Sequence, residues 1–204
     1  MNSIPSLALM AITFVFCISS SAQNAAIPCP ANMVVSADPG KEGAIVKFPA
    51  PDPGLGDVTI TPASGSFFRL GSHSVIVTTA SGKKCSFTVT VTDNEAPELS
   101  PVSLSREKIW PESNKMKKVS LRYSVTDNAG PAKITLTVSS NGTDGIQDWE
   151  IIDEHLVRLR SLRLPGDKPR IYSITVTATD AAGNKTKRTA SIAVSKTMSR
   201  SDEK

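Results

Sequence analysis

Two histidines, His73 and His155, are the side chains in this 204-residue chain best suited to moving a proton near neutral pH. A serine hydrolase needs a nucleophile, a histidine and an orienting carboxylate converging beside paired N–H donors. His73 falls in Gly71-Ser72-His73-Ser74, which reads as a turn, and His155 in Asp153-Glu154-His155. Neither is accompanied by a nucleophile elbow or a glycine-rich phosphate loop, and both read as surface residues. Asp148, Glu150, Asp153 and Glu154 are enough carboxylates for glycoside chemistry, but they crowd one short polar segment and read as a solvated acidic turn. No catalytic residue is assigned, and no enzymatic reaction is expected.

Hard cations are the second chemistry to weigh, because they need several oxygens from one pocket. The stretch Val91-Thr92-Asp93-Asn94-Glu95-Ala96-Pro97 offers Asp93, Asn94 and Glu95, while Asp127 and Asp180 close two later alternating runs. These five residues are the calcium candidates. No upstream Glu motif and no regular Asp-x-Asp accompanies them, and the sequence does not say whether Asp127 or Asp180 faces the linker. The favoured reading is therefore a turn with a stiff exit, since Asp and Asn bond nearby backbone and Pro97 holds Ala96 extended. Calcium is the second reading, and no other cofactor is expected.

Charge is less informative. The net charge is +4 and aromatics make up 5% of the chain, without interleaving among the basic residues, which argues against nucleic-acid binding. Trp110 with Lys115, Lys117 and Lys118 offers stacking and charge to an acidic or sugar ligand, although a Trp in a small module is more often core. Arg158, Arg160, Arg163 and Arg170 read as a solvated outer face. Asn141-Gly142-Thr143 and Asn184-Lys185-Thr186 are sequons that matter only in a eukaryotic secretory route. Ligand-binding residues stay unassigned.

The elements that position these groups are strands. Cys85, Phe87, Val89 and Val91 alternate with Ser86, Thr88, Thr90 and Thr92, the period of a strand with one buried face. Shorter candidates lie at Met33–Ser36, Ala44–Phe48, Val58–Thr61, Phe67–Arg69 and Ser74–Thr79, separated by Gly- and Pro-rich turns. Later runs are Val119 to Thr126, Ile134 to Val138, Trp149–Ile152, Leu156–Leu164, Tyr172 to Thr179 and Ala190 to Val194. No stretch has a convincing helical period, and 147–156 allows at most one helical turn. Thr92-Asp93-Asn94, Thr126-Asp127-Asn128 and Thr179-Asp180-Ala181 echo one another at strand ends. The expected fold is all-β, two tandem Ig-like β-sandwiches, with the boundary between Asn94 and Pro101.

Residues 1–22 read as a secretory signal peptide: Leu7 to Ile18 is apolar but too short to span a bilayer, and Ser20 and Ala22 suit a cleavage site. The segment lacks Lys and Arg, so only the terminal amine supplies charge. The expectation is an exported chain, cleaved near Ala22, secreted or associated with the cell surface, with no membrane span after cleavage. Cys29 and Cys85 then form an even pair, which in an exported chain reads as a disulfide rather than two free thiols.

The first unit, 28–97, resembles a hyalin repeat, an Ig-like extracellular module. The residues that carry the likeness are Cys29-Pro30, Pro51-Asp52, Ser64-Gly65-Ser66-Phe67 with Leu70-Gly71, Val75–Thr79, and Cys85 to Val91 with Asp93 and Pro97. The likeness implies that Cys29 pins the first strand region to the last strand at Cys85. Ser81-Gly82-Lys83 is shorter than the family's usual turn. The second unit, 100–195, resembles an Ig-like module found beside such repeats in exported bacterial proteins, through Ile109-Trp110-Pro111, Tyr123 to Asn128, Asp148-Trp149, Arg170-Ile171-Tyr172 and Thr179 to Asn184. Ala129 stands where relatives often carry a Cys, so this unit should lack a disulfide; 196–204 reads as a polar tail. Together the likenesses imply a non-enzymatic protein for adhesion, protein interaction or structural spacing, with an extracellular protein or glycan as partner. A carbohydrate-binding accessory protein is the alternative.

Overall fold

The computed structural model describes residues 27–49, 52–142, 145 and 147–196. The signal-peptide reading of 1–22 and nearly all of the polar tail lie outside the described residues. Among the described residues, no helix is long and apolar enough to cross a membrane.

Six strands build the first sandwich: β1 (Met33–Ser36), β2 (Gly43–Val46), β3 (Val58–Thr61), β4 (Ser66–Arg69), β5 (Gly71–Thr79) and β6 (Lys84–Thr92). One sheet has the order β1-β6-β5-β3, with β1 parallel to β6; β2 and β4 form the facing pair. The alternating pattern does the sorting. Val75, Val77, Phe87, Val89 and Val91 point inward from β5 and β6 to meet Ala44, Val46, Phe48 and Phe68. Phe48 and Phe87 meet edge to face at 5.3 Å. Cys29 and Cys85 form a disulfide with a Cα–Cα distance of 5.9 Å, tying the segment before β1 to the start of β6.

The second sandwich follows as β7 (Glu98–Leu99), β8 (Ser103–Leu104), β9 (Lys108–Ile109), β10 (Met116–Arg122), β11 (Val125–Thr126), β12 (Lys133–Ser140), β13 (Trp149–Asp153), β14 (Leu156–Arg160), β15 (Ile171–Thr179) and β16 (Lys185–Val194). Its two sheets have the orders β13-β14-β10-β8 and β12-β15-β16-β9, and β7 pairs with β11 as a separate ribbon. A second core, separate from the first, is built on Ile109, Val119, Leu121, Val157, Leu159, Tyr172, Ile174, Val176 and Ile192. The all-β, tandem Ig-like expectation therefore stands.

Several local expectations do not. The run Val119 to Thr126 is two strands. Leu121 pairs with Leu104, then the Ser124 N–H turns to Ser100 Oγ at 2.9 Å, and β11 leaves to join β7. Residues 147–156 contain no helical turn: Asp153 Oδ1 accepts the His155 N–H at 2.7 Å and closes a β13–β14 hairpin. Strand β14 stops at Arg160, where the Ser161 hydroxyl donates to the Pro111 carbonyl at 2.6 Å instead of continuing the run to Leu164. His73 belongs to β5, not to a turn.

The charged outer face is the largest correction. Arg170 is 0% exposed and Asp148 is 1% exposed. The two form a direct ion pair, and Arg170 Nε also donates to the Leu162 carbonyl at 3.0 Å. Asp148 accepts from the Ser140 hydroxyl as well, at 3.0 Å. Arg163, largely buried, donates to the Val194 carbonyl and to Asp167. Arg158, paired with Glu150 at 3.1 Å, stays at the surface, and half-buried Arg160 donates to Asn114 Oδ1 at 3.1 Å and to the Gln147 carbonyl at 3.3 Å. The Arg170–Asp148 pair is not legible from spacing, because its members are 22 residues apart. Beside this pair the Tyr172 hydroxyl donates to the Arg160 carbonyl at 2.8 Å, and its pKa is raised by burial and by the Asp148 charge.

The two sandwiches should lose stability separately. Replacing Cys29 and Cys85 by Ser should cost the first about 4 kcal/mol, the chain-entropy value for a separation of 56 residues. Asp148→Ala should cost the second ~3–5 kcal/mol, because Arg170 is left charged and buried. Calorimetric unfolding should show each change moving a different transition; a change that moves both equally would contradict the two-core description.

Candidate functional site

Strands β6, β11 and β15 each end in Thr-Asp, and the three ends arrive at the same place. One carboxylate oxygen from each of Asp93, Asp127 and Asp180 lies within 4.8 Å of the others. The β7–β11 ribbon makes this happen: Glu98 pairs with Thr126 and Leu99 with Val125, so the linker after Asp93 runs alongside the strand that ends at Asp127. Leu99, 2% exposed, anchors that ribbon in the second core.

Each aspartate uses one oxygen to set its own turn. Asp93 Oδ1 accepts the Glu95 N–H at 3.0 Å, Asp127 Oδ1 the Ala129 N–H at 2.9 Å, and Asp180 Oδ1 the Asn184 N–H at 2.7 Å. This is the local reason for Asp at each strand end. The leftover oxygens differ. Asp180 Oδ2 accepts from Asn184 Nδ2 at 2.8 Å. Asp93 Oδ2 and Asp127 Oδ2 are buried without a hydrogen-bond partner among the described residues. Asn128 Oδ1 is in the same condition, its amide being oriented by Nδ2 donating to the Lys41 carbonyl at 2.9 Å.

Electrostatics sharpen the picture. Asp93 and Asp180 are each 8% exposed. Among the described residues no Lys or Arg forms an ion pair with any of the three. Two unit charges at such a separation repel by roughly 3 kcal/mol at an effective dielectric of ~20. The Asp127 pKa is accordingly raised above the usual aspartate value, first by burial, then by the charges of Asp93, Asp180 and Glu95, against the lowering pull of the Ala129 N–H.

Asn184 spans the seam. Its Nδ2 donates at 3.2 Å to the carbonyls of both Asp93 and Glu95, so a residue of the second sandwich holds the exit from the first. The Gly40 N–H donates to Glu95 Oε2 at 2.9 Å, and a φ of 67° at this position suits glycine. Of the five calcium candidates the fold thus collects Asp93, Asp127 and Asp180. It turns Asn94 toward the Ser36 hydroxyl at 2.7 Å and leaves Glu95 beside the cluster, bonded to Gly40. The sequence marks Asn184 as part of a sequon and of the Thr179 to Asn184 stretch, without a role at the seam. Its place in Asp180-Ala181-Ala182-Gly183-Asn184 was the available signal, since an Asx turn needs a partner a few residues on.

The other candidates are engaged elsewhere. His73 Nε2 hydrogen-bonds the Arg69 carbonyl at 2.7 Å, and His155 stacks on Tyr123 with ring centres 4.6 Å apart. Trp110 is half-buried and donates to the Lys196 carbonyl at 3.2 Å, outside the core cluster. Trp149 packs against the second core and lines an open groove of about 520 Å³ with Met116, Gln147, Glu150, Ile151 and Arg160.

No family model matches the chain, and no curated protein does. Solved structures similar to it include the Down Syndrome Cell Adhesion Molecule, N-terminal eight Ig domains, at 11% identity and a TM-score of 0.42, covering 81% of this chain and 27% of that one. Drosophila N-cadherin EC1-4 is similar at 20% identity and a TM-score of 0.37, over 83% and 49%. Human Mucin-like Protocadherin EC1-2 is similar at 14% and 0.34, over 82% and 95%. The chain thus spans about a quarter and a half of the first two.

Asn184→Ala should remove the seam bonds to the Asp93 and Glu95 carbonyls, lowering stability by about 1–3 kcal/mol and opening the peptide 93–99 to limited proteolysis. Asn94→Ala, which loses one exposed bond to Ser36, should change cleavage far less. Equal cleavage of the two variants would contradict the role given to Asn184.

Proposed function

We propose that the protein is an exported, non-enzymatic pair of Ig-like sandwiches that works outside the cell or at its surface in adhesion, protein interaction or structural spacing, with the first sandwich a hyalin repeat. The carrying observation is the built seam: Asn184 reaches the Asp93 and Glu95 carbonyls, and Asn128 reaches the Lys41 carbonyl. A spacer needs a fixed step between its modules, and these bonds supply one where a flexible linker would supply none. The Cys29–Cys85 bridge supports an oxidising compartment. Both histidines are committed to structural contacts, which supports a binding or spacing role over catalysis.

The groove beside Trp149 is the observation that favours carbohydrate binding as a second reading, since an aromatic face with Gln147, Glu150 and Arg160 around it combines stacking with hydrogen bonding. The two readings separate by experiment. In small-angle scattering the protein should give one elongated shape, with Asn184→Ala broadening its distance distribution, and in a glycan array it should show no saturable binding. Glycan binding abolished by Trp149→Ala would replace the spacer reading with the sugar-binding one. A wild-type profile as broad as that of Asn184→Ala would remove its main support.

A further inference from the structure

We propose that Asp93, Asp127 and Asp180 together bind one calcium ion at the seam between the sandwiches. The inference rests on the cluster itself and is independent of the adhesion and spacing reading. Three carboxylates from three strand ends converge within 4.8 Å, carrying up to three negative charges and no basic partner among the described residues. An acidic cluster alone proves little, because a solvated one needs nothing. Two of the three residues here, Asp93 and Asp180, are buried. The Asp93 side chain belongs to a residue 92% buried (8% exposed), and its Oδ2 has no hydrogen-bond donor. Asp127 Oδ2 is likewise buried and unpartnered. Buried polar atoms are nearly always satisfied, so two orphaned acceptors in one cluster call for a cation or a set of donors the protein does not supply.

The chemistry selects the ion. The donors are all oxygen, and no His or Cys joins the group, which disfavours zinc. Calcium takes six to eight oxygens at roughly 2.3–2.6 Å in flexible geometry, so oxygens up to about 5 Å apart fit across its coordination sphere. Magnesium demands a tighter octahedron at about 2.0–2.1 Å and keeps its waters, which suits ligands spread over three strand ends less well. One ion would then join the last strand of the first sandwich to two strands of the second.

The test is calorimetric titration of the purified protein, stripped with EDTA, against calcium chloride and separately magnesium chloride, together with thermal unfolding in each salt. The expected result is one calcium per chain, a Kd on the order of 10⁻⁴–10⁻³ M as for extracellular modules, and weaker magnesium binding. At about 100 times Kd the midpoint of the transition that disrupts the site should rise by roughly 10–20 °C. Asp127→Asn and Asp93→Asn retain the turn acceptor but remove a charge. Each should weaken calcium binding at least about tenfold while leaving the protein in EDTA as stable as wild type or more so, since repulsion is relieved. Absence of both binding heat and midpoint shift in millimolar calcium would overturn the proposal. So would variants destabilised equally in EDTA and calcium, which would mark the aspartates as turn formers only. Magnesium binding as tight as calcium would overturn calcium as the occupant.

Discussion

Three strand-end carboxylates meeting at one point constrain this molecule more than any other contact. Asp93, Asp127 and Asp180 are each placed by a local turn, and each local choice is favourable by itself. Their meeting is unfavourable, because like charges are brought together where water is partly excluded. The fold tolerates this at the joint. Asn184 and Asn128 hold the two sandwiches in the relation that creates the conflict. Local frustration that survives beside dedicated cross-links points to function more than to stability.

The rest of the structure makes that relation durable by ordinary means. The first sandwich has one facing sheet of only two short strands, so its core is small, and the Cys29–Cys85 bridge compensates by constraining the unfolded chain. The second is larger, and at one end it encloses the Arg170–Asp148 pair among Ser140, Leu162 and Tyr172. A buried ion pair adds little net stability but fixes geometry, since any alternative packing would strand a charge. The charges of this chain thus do opposite things in two places: paired and neutralised in the second sandwich, like-signed and unpaired at the seam.

Much of this was legible in the residues. Alternation along Cys85 to Thr92 and Tyr172 to Thr179 set the buried faces, and the Thr-Asp echo marked three strand ends. What sequence could not supply was their convergence, which depends on the two-residue ribbon β7–β11, too short to have a period. The arginines were misplaced for a similar reason. Period-two reasoning assigns a side chain to a face, and Arg170 precedes its strand, so no face was available to read. Tyr123 and Ser124 continue the alternation on paper, yet the strand breaks there because Ser100 captures the Ser124 N–H.

Whether a cation shared among the three aspartates orders the seam is read most directly from amide hydrogen exchange there. The Glu95, Ala129 and Asn184 N–H groups are the ones held by Asp93, Asp127 and Asp180. These three amides should exchange slowly in calcium and together become fast in EDTA, by a larger factor than amides in the two cores, which change only as far as global stability does. Exchange at these positions that is identical in calcium and in EDTA would contradict ordering by a shared cation.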